Sequence, residues 1–409
     1  MKLVCLRCAA ALLLALTGSP EPAMSATPPN WVTTWTAAPD SAGPALQAQT
    51  IRQIVRASVG GDSVRIRLSN LHGAGPVGIG PVHVALRAAG ASIEPGSDRA
   101  LTFNGSPTVT IANGESVLSD AVDLNVAPLR ELAVSLYLPD GAGVASIHGA
   151  GMQTAYIVRG ADVTTAPAFA VTETDDSRYF LTDVEVASSA KARAVVVVGD
   201  SIADGVGSKE EANARWPDLL AARLTTSSIA VVNAGIAGNR LLKGASKPFV
   251  GPSALARFER DALDKPGVRW IVLHEGLNDI SAGDMLASPA EQVSARQIID
   301  GLQTLIRQAH ARGVRICGGT LTPYGGVGKP FVHSALGEAK RQEVNVWIRE
   351  AGGFDAVVDF DRVLRDPQRP THLLPAFDSG DHLHPNDRGY QAMAEAAAVA
   401  LNLMETRAD

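Results

Sequence analysis

The sequence contains few cysteines, few aromatic residues and no dense run of basic residues. Only three of its 409 residues are cysteines, and aromatic residues make up 5% of the chain. The formal net charge is −6, so neither charge nor aromatic content indicates a nucleic-acid-binding surface. Hydrophobic residues account for 46% of the chain, which is enough for two domains to bury separate cores.

The sequence also lacks a long hydrophobic run, and its longest apolar stretch lies in residues 1–26, which have the pattern of a secretory signal peptide. Lys2 and Arg7 form a charged region, Cys8 to Leu16 form a short apolar run, and small residues follow, with cleavage expected near Ser25 or Ala26. The apolar run is too short to span a bilayer, so no stable membrane anchor is expected. The alternative is a buried N-terminal helix.

Cleavage of this segment would remove Cys5 and Cys8 and leave Cys317 as the remaining cysteine. The mature chain could then form neither an internal disulfide nor a Cys-x-x-Cys metal site. Together these features predict a secreted or periplasmic bacterial protein whose core is stable without disulfides.

Residues 27–165 have the pattern of an all-β domain. Short runs of alternating apolar and polar residues, such as DSVRIRLSN and ELAVSLYLP, are separated by Gly, Pro, Asn and Asp turns. This pattern predicts an antiparallel sandwich or jelly-roll-like domain. Residues 166–191 are interpreted as a linker followed by a strand, RYFLTDVEV, that ties the two halves of the chain together.

Residues 192–409 change to an alternation of buried strands and helices. Strands are predicted at 194–198, 229–233, 269–274, 314–319 and 356–360. Helices are predicted near 211–224, 252–264, 288–312 and 331–351, and in the last run, NDRGYQAMAEAAAVALNLM. Such an alternation predicts an α/β domain with a parallel sheet covered by helices on both faces.

Polar segments follow four of the five predicted strands, where ligands bind in open parallel sheets. They are GDSIADG, NAGIAGN, EGLND and, on a longer loop, DHLHPND. Ser201 in the first segment offers a nucleophile, although a serine after a strand is also a common turn or helix-cap residue.

His384 is the best candidate for the base among the nine histidines. Pro385 restricts its backbone, and this proline also suits the first turn of the final helix. Asp381, three residues earlier, can reach the imidazole Nδ1 and leave Nε2 free for the serine, although such a pair can also be surface residues or metal ligands. His382 shares this loop.

The remaining histidines are expected elsewhere. His72, His83 and His148 belong to the β half and are expected away from the strand ends. His310 lies late in a predicted helix and is expected to be exposed, and His274 is interpreted as a hydrogen-bonded core residue.

Three donors are candidates for stabilising an oxyanion. Gly238 can bring its backbone N–H close to a ligand because it has no side chain, and Asn278 can donate its amide. The backbone N–H of Ser201 is the third. Each also has an ordinary interpretation, because glycines form turns and asparagines cap helices.

Taken together and in this order, the four segments resemble the SGNH hydrolases, also called GDSL-type esterases and lipases. The residues that match the superfamily's four namesake residues and its aspartate are Ser201, Gly238, Asn278, His384 and Asp381. The resemblance covers about residues 192–404. It implies a flavodoxin-like three-layer α/β/α domain that hydrolyses esters without a metal or other cofactor. The WVTTWTAAPD opening looks like the β module that precedes the hydrolase in some secreted bacterial members.

Other motifs are excluded by spacing. The segment GDSIADGVGSK is neither a Walker A loop nor a dinucleotide-binding fingerprint, and Ala203 excludes the G-x-S-x-G elbow of the α/β-hydrolases. A carboxylate pair for glycoside cleavage is not excluded, but none stands out.

The substrate is predicted only as a small-molecule or polysaccharide ester. The β half favours a short-acyl or carbohydrate ester, and Trp31 and Trp35 offer either sugar-stacking surfaces or packing anchors. The loops KPFVGP (247–252) and YGGVGKP (324–330) are candidates for shaping the pocket. Three alternatives stay open: a lipase acting on lipid esters, an acyltransferase, and a carbohydrate-binding protein on an inactive hydrolase scaffold. The oligomeric state is not predicted.

Overall fold

A computed structural model of the protein describes residues 29–245, 250–286, 288–350 and 353–406. The predicted signal peptide, residues 1–26, lies outside the described residues. Within the described ranges, an antiparallel β part is followed by a parallel α/β part, and no helix there combines the length and apolar character that crossing a membrane requires.

The β part is made of short strands, as the alternating sequence pattern predicts. Its strands are β1 (Asn30–Thr36), β2 (Ser41–Ala42), β3 (Gln49–Arg56), β4 (Gly61–Ser69), β5 (Val77–Ile79), β6 (Val82–Ala89), β7 (Ser92–Ile93), β8 (Arg99–Leu101), β9 (Val109–Ile111), β10 (Ser116–Leu118), β11 (Val122–Val126), β12 (Glu131–Leu138), β13 (Ser146–His148), β14 (Ala155–Arg159), β15 (Glu173–Asp175), β16 (Arg178–Tyr179) and β17 (Leu181–Ser188).

Two antiparallel sheets form a sandwich. One has the order β1-β17-β4-β10, with β11 also paired to β4, and the other has the order β15-β14-β3-β12-β6-β7, with β8 also paired to β6. Inward-facing residues of both sheets belong to one core, for example Ile66 and Val184 from the first and Ile51 and Leu132 from the second. This shared core is what alternating strands produce when two sheets pack face to face, and the predicted all-β half is confirmed.

The strand predicted at the end of residues 166–191 is β17. It lies between β1 and β4 and hydrogen-bonds to both, so it is a central strand of the first sheet. The next strand along the chain, β18, begins the parallel sheet after only a short connection.

The α/β part contains the five predicted strands, with small differences in their ends. Its elements are β18 (Arg193–Gly199), α1 (Ser201–Asp204), α2 (Trp216–Leu224), β19 (Ile229–Gly235), α3 (Ala254–Phe258), β20 (Val268–His274), α4 (Leu277–Leu286), α5 (Ala295–Ala311), β21 (Arg315–Gly319), α6 (Ala335–Glu350), β22 (Ala356–Val358), α7 (Phe360–Leu364) and α8 (Asp387–Thr406). The strand order is β19-β18-β20-β21-β22, and all neighbours are parallel. This is the predicted flavodoxin-like sheet.

Helix boundaries differ from the predictions at several places, and α1 and α7 are short helices outside the predicted helices. Helix α4 was not predicted, because its sequence LNDISAGDML has no clear apolar period. Helix α5 begins at Ala295 rather than near residue 288, since Ser294 and Gln297 form a capping box there. The prediction for Pro385 was also wrong: α8 begins at Asp387, and the Asn386 side chain accepts its first N–H groups, so Pro385 precedes the cap.

The two parts share an interface that is buried and hydrogen-bonded. Ala194 of β18 and Ala230 of β19 belong to the same core cluster as the sandwich. The Lys265 ammonium lies 2.5 Å from the Asp183 carboxylate, and both side chains are buried. The α/β sheet is therefore packed directly against the sandwich, without a solvated linker between them.

Candidate active site

The site is built at the carboxyl edge of the parallel sheet. Pairing between the strands places Gly199 beside Gly235 on one side and beside His274 on the other. Helix α1 begins two residues after Gly199, with Asp200 as its cap: the Asp200 carboxylate accepts the N–H of Ile202 at 2.9 Å. Asp200, and not Ser201, is therefore the residue that caps helix α1, and the Ser201 hydroxyl is not used as a helix cap.

The structure brings together the three side chains predicted to form a catalytic triad. His384 Nε2 lies 2.8 Å from Ser201 Oγ, and His384 Nδ1 lies 2.5 Å from Asp381 Oδ2. The other oxygen of Asp381 accepts the backbone N–H groups of Leu383 and His384 at 2.9 and 2.8 Å. The turn between Asp381 and His384 thus holds the carboxylate against the imidazole.

The surroundings of Asp381 favour its ionised form. Partial burial opposes its charge, but the hydrogen bonds from His384 and Leu383 hold the pKa of the carboxyl well below its usual range. An ionised Asp381 accepts the proton on Nδ1 of His384, which leaves the Nε2 lone pair facing the Ser201 hydroxyl.

Two other histidines near the strand ends are placed differently. His382 has a largely exposed ring whose Nδ1 lies 2.6 Å from Asp378 Oδ2. His274 is buried with its ring edge-on to Phe360, and burial lowers its pKa to about 4, so it stays neutral. Among the described residues, no group of three or more His, Cys, Asp or Glu side chains is placed to hold a metal ion.

The candidate oxyanion donors lie beside the serine. Gly238 has φ of +72°, a left-handed conformation that favours glycine, and its N–H has no acceptor among the described residues. The Asn278 amide donates one hydrogen to the carbonyl of Asn239 at 2.9 Å, and its Nδ2 is 3.4 Å from Asp200 Oδ2, a long contact. The first bond orients the amide, and the second, to Asp200, is the weaker of the two.

One pocket of about 730 Å³ joins these groups. Ser201, Gly238, Asn278 and His384 line it, and most of the remaining wall is apolar: Val206, Ala237, Ala245, Val250, Ala282, Met285, Leu286, Pro330, Phe331 and Leu383. Each of the two loops predicted to shape a pocket contributes one residue, Val250 and Pro330, and residues 247–249 of the first loop lie outside the described residues. The pocket also contains an ion pair between Arg240 and Glu291, with 2.6 Å between the charged groups.

The tryptophans of the β half are not part of this pocket. Trp35 is buried in the sandwich core, and the Arg65 guanidinium lies over the ring of Trp31 at 4.1 Å from its centre. Both contacts fit the packing interpretation of these residues rather than sugar stacking at the site.

The carboxyl groups buried behind the serine have raised pKa values, in contrast to the lowered pKa of Asp381. Burial raises the pKa of Asp200 and of Asp279 to about 6, and it raises the pKa of Glu275 well above its usual value. Asp279 accepts the N–H groups of Leu241 and Leu242 at 2.6 and 3.0 Å. Asp200 and Asp279 thus hold backbone segments by hydrogen bonds, whereas neither carboxyl oxygen of Glu275 has a hydrogen-bond partner among the described residues.

The expectation that His148 lies away from the strand ends was wrong. Its ring is buried at the end of β13, and Nε2 lies 3.1 Å from Oδ1 of Asp204, the last residue of α1. Burial alone would lower the pKa of His148, but the Asp204 and Asp40 carboxylates raise it to about 9. In the sequence, the one indication that Asp204 lies near the site was its position, a helical turn after Ser201.

The charge on His148 predicts a pH-dependent contribution to stability. Its pKa is about 9 in the folded chain, whereas an unfolded histidine titrates near ~6.5. Because the folded pKa is the higher one, this contribution is complete below the unfolded pKa and is lost as the pH rises through 9. The difference corresponds to about 3 kcal/mol of unfolding free energy.

Urea unfolding of the wild type and of His148→Gln between roughly pH 6 and pH 10 measures this contribution. The difference in unfolding free energy between the two proteins should shrink as the pH rises, and the titration of all other groups cancels in that difference. A difference independent of pH would show that His148 is neutral in the folded chain.

Comparison with known proteins gives the family of the α/β part. Residues 197–392 match the model of the GDSL-like lipase/acylhydrolase family. No curated protein is significantly similar to the chain.

Similar solved structures cover about half of the chain. They include a GDSL-like lipase from Bacteroides thetaiotaomicron (17% identity, 54% of this chain and 91% of that one, TM-score 0.40). An aryl esterase from M. smegmatis is 14% identical over 52% of this chain and all of its own (100%), with a TM-score of 0.41. A carbohydrate acetylesterase family member from Sinorhizobium meliloti is 16% identical over 52% of this chain and 98% of its own, with a TM-score of 0.42.

These likenesses are too distant to carry information about the substrate of this chain. The family match is independent of them, and it extends from β18 to α8, across every segment that contributes to the site. Residues 197–392 are therefore a GDSL-like lipase/acylhydrolase domain, which confirms the SGNH hydrolase resemblance of the α/β part.

Proposed function

We propose that the chain is a serine esterase that hydrolyses carboxylic esters at Ser201. The observation that carries this proposal is the position of His384, with one ring nitrogen 2.8 Å from the Ser201 hydroxyl and the other 2.5 Å from Asp381. This is the arrangement of nucleophile, base and orienting carboxylate that acyl transfer requires.

The reaction follows from these contacts. His384 Nε2 takes the proton of Ser201 as Oγ attacks the ester carbonyl, and Asp381 stabilises the resulting imidazolium. The tetrahedral intermediate then collapses, its alcohol leaves with the proton from His384, and an acyl-serine remains. Water attacks the acyl-serine with His384 again as the base, releasing the acid and restoring Ser201.

The oxyanion is held by the N–H groups of Ser201 and Gly238 and by the Asn278 amide. The support is that Gly238 presents a left-handed backbone to the pocket and that Asn239 orients the Asn278 side chain. Donors that are fixed before the reaction need no reorganisation as the negative charge develops.

The pocket favours an ester with an apolar acyl chain longer than acetyl. Its wall combines Met285, Leu286 and Phe331 with small apolar residues, and its volume of about 730 Å³ exceeds what an acetyl group fills. An apolar wall stabilises a chain in proportion to the surface that leaves water. The signal-like residues 1–26 support secretion or a periplasmic location.

The first prediction concerns the nucleophile. Ser201→Ala should abolish hydrolysis of p-nitrophenyl butyrate, and a fluorophosphonate should add one mass increment to the wild type on Ser201 but none to the variant. Ser208→Ala is the matched control, since Ser208 is as buried as Ser201 and donates its hydroxyl to the Gly205 carbonyl. Equal turnover by folded wild type and Ser201→Ala would exclude this function.

The second prediction concerns the oxyanion donors. Asn278→Ala should lower kcat by about 10²–10³-fold, because a donor that acts mainly in the transition state is lost, while KM changes little. Thermal unfolding of the variant should be measured in parallel, because the bond to the Asn239 carbonyl is lost as well. An unchanged kcat would remove Asn278 from the oxyanion site.

The third prediction concerns the acyl chain. From p-nitrophenyl acetate to the octanoate, kcat/KM should rise by about fourfold for each buried methylene until the pocket is full. Ala282 lines this pocket, so Ala282→Phe should lower kcat/KM for the octanoate and leave the acetate nearly unchanged. A wild-type preference for the acetate would instead support a short-acyl enzyme of the carbohydrate acetylesterase kind.

A further inference from the structure

His148 of the β half has only hydrogen-bond acceptors around its ring. Nδ1 lies 2.9 Å from the carbonyl oxygen of Ala38, and Nε2 lies 3.2 Å from that of Ala150 and 3.1 Å from Asp204 Oδ1. Carbonyl and carboxylate oxygens only accept, so both ring nitrogens must donate. His148 is therefore an imidazolium buried between the two parts of the chain.

Asp204 connects this imidazolium to the oxyanion loop. It ends helix α1, which begins at Ser201, and it is buried. One oxygen accepts from His148 and the other accepts the backbone N–H of Ala237 at 2.9 Å. Ala237 immediately precedes Gly238, so a single carboxylate fixes the serine helix relative to the candidate oxyanion donor.

The close packing around Asp204 makes this connection stiff. A Cβ atom on Gly235 would lie 2.5 Å from the Asp204 backbone nitrogen, so the end of β19 touches helix α1 directly. The Asn233 amide also donates to the Ala203 carbonyl at 2.7 Å. A shift of the Asp204 side chain would therefore be passed to the loop rather than absorbed locally.

The β half holds the segment that follows the serine at a second point. The Met152 carbonyl accepts the N–H of Glu211 at 3.1 Å, and the Glu211 carboxylate accepts from the Thr154 backbone and from Arg87. The side chain of Asn213 donates to Glu131 at 3.1 Å. The chain from residue 201 to residue 213 is thus anchored to the sandwich at both ends.

We propose that His148 is a positioning residue of the hydrolase site: through Asp204 it holds the Gly238 N–H in place for the oxyanion. The β half is then a structural part of the active site rather than an accessory binding module. This inference rests on the proposed esterase function. His148 does not touch the substrate, and its effect on the reaction passes through the Ala237–Gly238 loop.

The main test compares His148→Phe with His83→Phe in the full chain. His83 is the matched control, because it is also a buried histidine of the β half with a carboxylate partner, Asp98 at 2.9 Å. With p-nitrophenyl butyrate, His148→Phe should lower kcat by about 10- to 100-fold, a partial loss of one oxyanion donor, with KM changed by less than about threefold. His83→Phe should keep the wild-type kcat.

His148→Gln covers the case in which His148→Phe does not fold. Its amide can still donate to Asp204, so its kcat should fall below the wild-type value, but by less than the about 10- to 100-fold expected of His148→Phe. A folded His148→Phe protein with wild-type kcat, or one that loses kcat no more than His83→Phe, would overturn the inference.

A double-mutant cycle separates a positioning role from general destabilisation. If His148 acts through Asp204, the double variant His148→Phe/Asp204→Ala should have the kcat of Asp204→Ala alone. If the double variant instead loses kcat by the product of the two single-variant losses, His148 acts by a route other than Asp204. The proposed esterase function has its own test in the same assay: it is excluded if Ser201→Ala keeps the wild-type turnover.

Discussion

Parallel pairing of β18 with β19 and β20 sets the positions of the serine and of the candidate oxyanion donors. The register places Gly199, Gly235 and His274 side by side at the carboxyl edge of the sheet. A Cβ atom on Gly199 would lie 2.7 Å from the Ala203 Cβ atom, so the glycine lets helix α1 rest on the strand ends. The serine, the oxyanion loop and helix α4 all leave the sheet from this edge, and their mutual distances follow from it.

The pKa of each carboxyl group in the site depends on its solvent exposure and on its hydrogen-bond partners. Asp381 is partly exposed, and the hydrogen bonds that it accepts from Leu383 and His384 lower its pKa. Asp200 and Asp279 are buried, and their pKa values are raised to about 6 by burial. Of these three carboxyl groups, the one that faces the imidazole is thus the least desolvated. This is the physical basis for proposing Asp381 as the group that orients His384.

Much of this arrangement could be predicted from local sequence. The five parallel strands are continuous apolar runs, and the chemistry lies directly after them, because parallel strands share one carboxyl edge. Asp381 and His384 are three residues apart, so their contact is decided within one turn. The family match at residues 197–392 confirms the resemblance that the four segments carry together.

The parts that could not be predicted depend on tertiary contacts. Helix α4 carries Asn278 but has no apolar period, since both of its sides are in contact with protein and its buried residues include Asp279 and Ser281. His148 and Asp204 are 56 residues apart in sequence. Nothing in the alternating strand pattern around His148 indicates that its side chain contacts the other half of the chain.

The interface between the halves explains why such a contact can influence a reaction. Two domains joined by a solvated linker move relative to each other, and a contact across them would be intermittent. Here the sandwich core extends into Ala194 and Ala230, and the Lys265–Asp183 pair and the His148–Asp204 pair are both buried. Breaking either ion pair leaves a buried charge without its partner, which costs more than the intact pair gains. The contacts that His148 and Asp204 make across this interface therefore have a fixed base on the sandwich side, which is what the proposed positioning role requires.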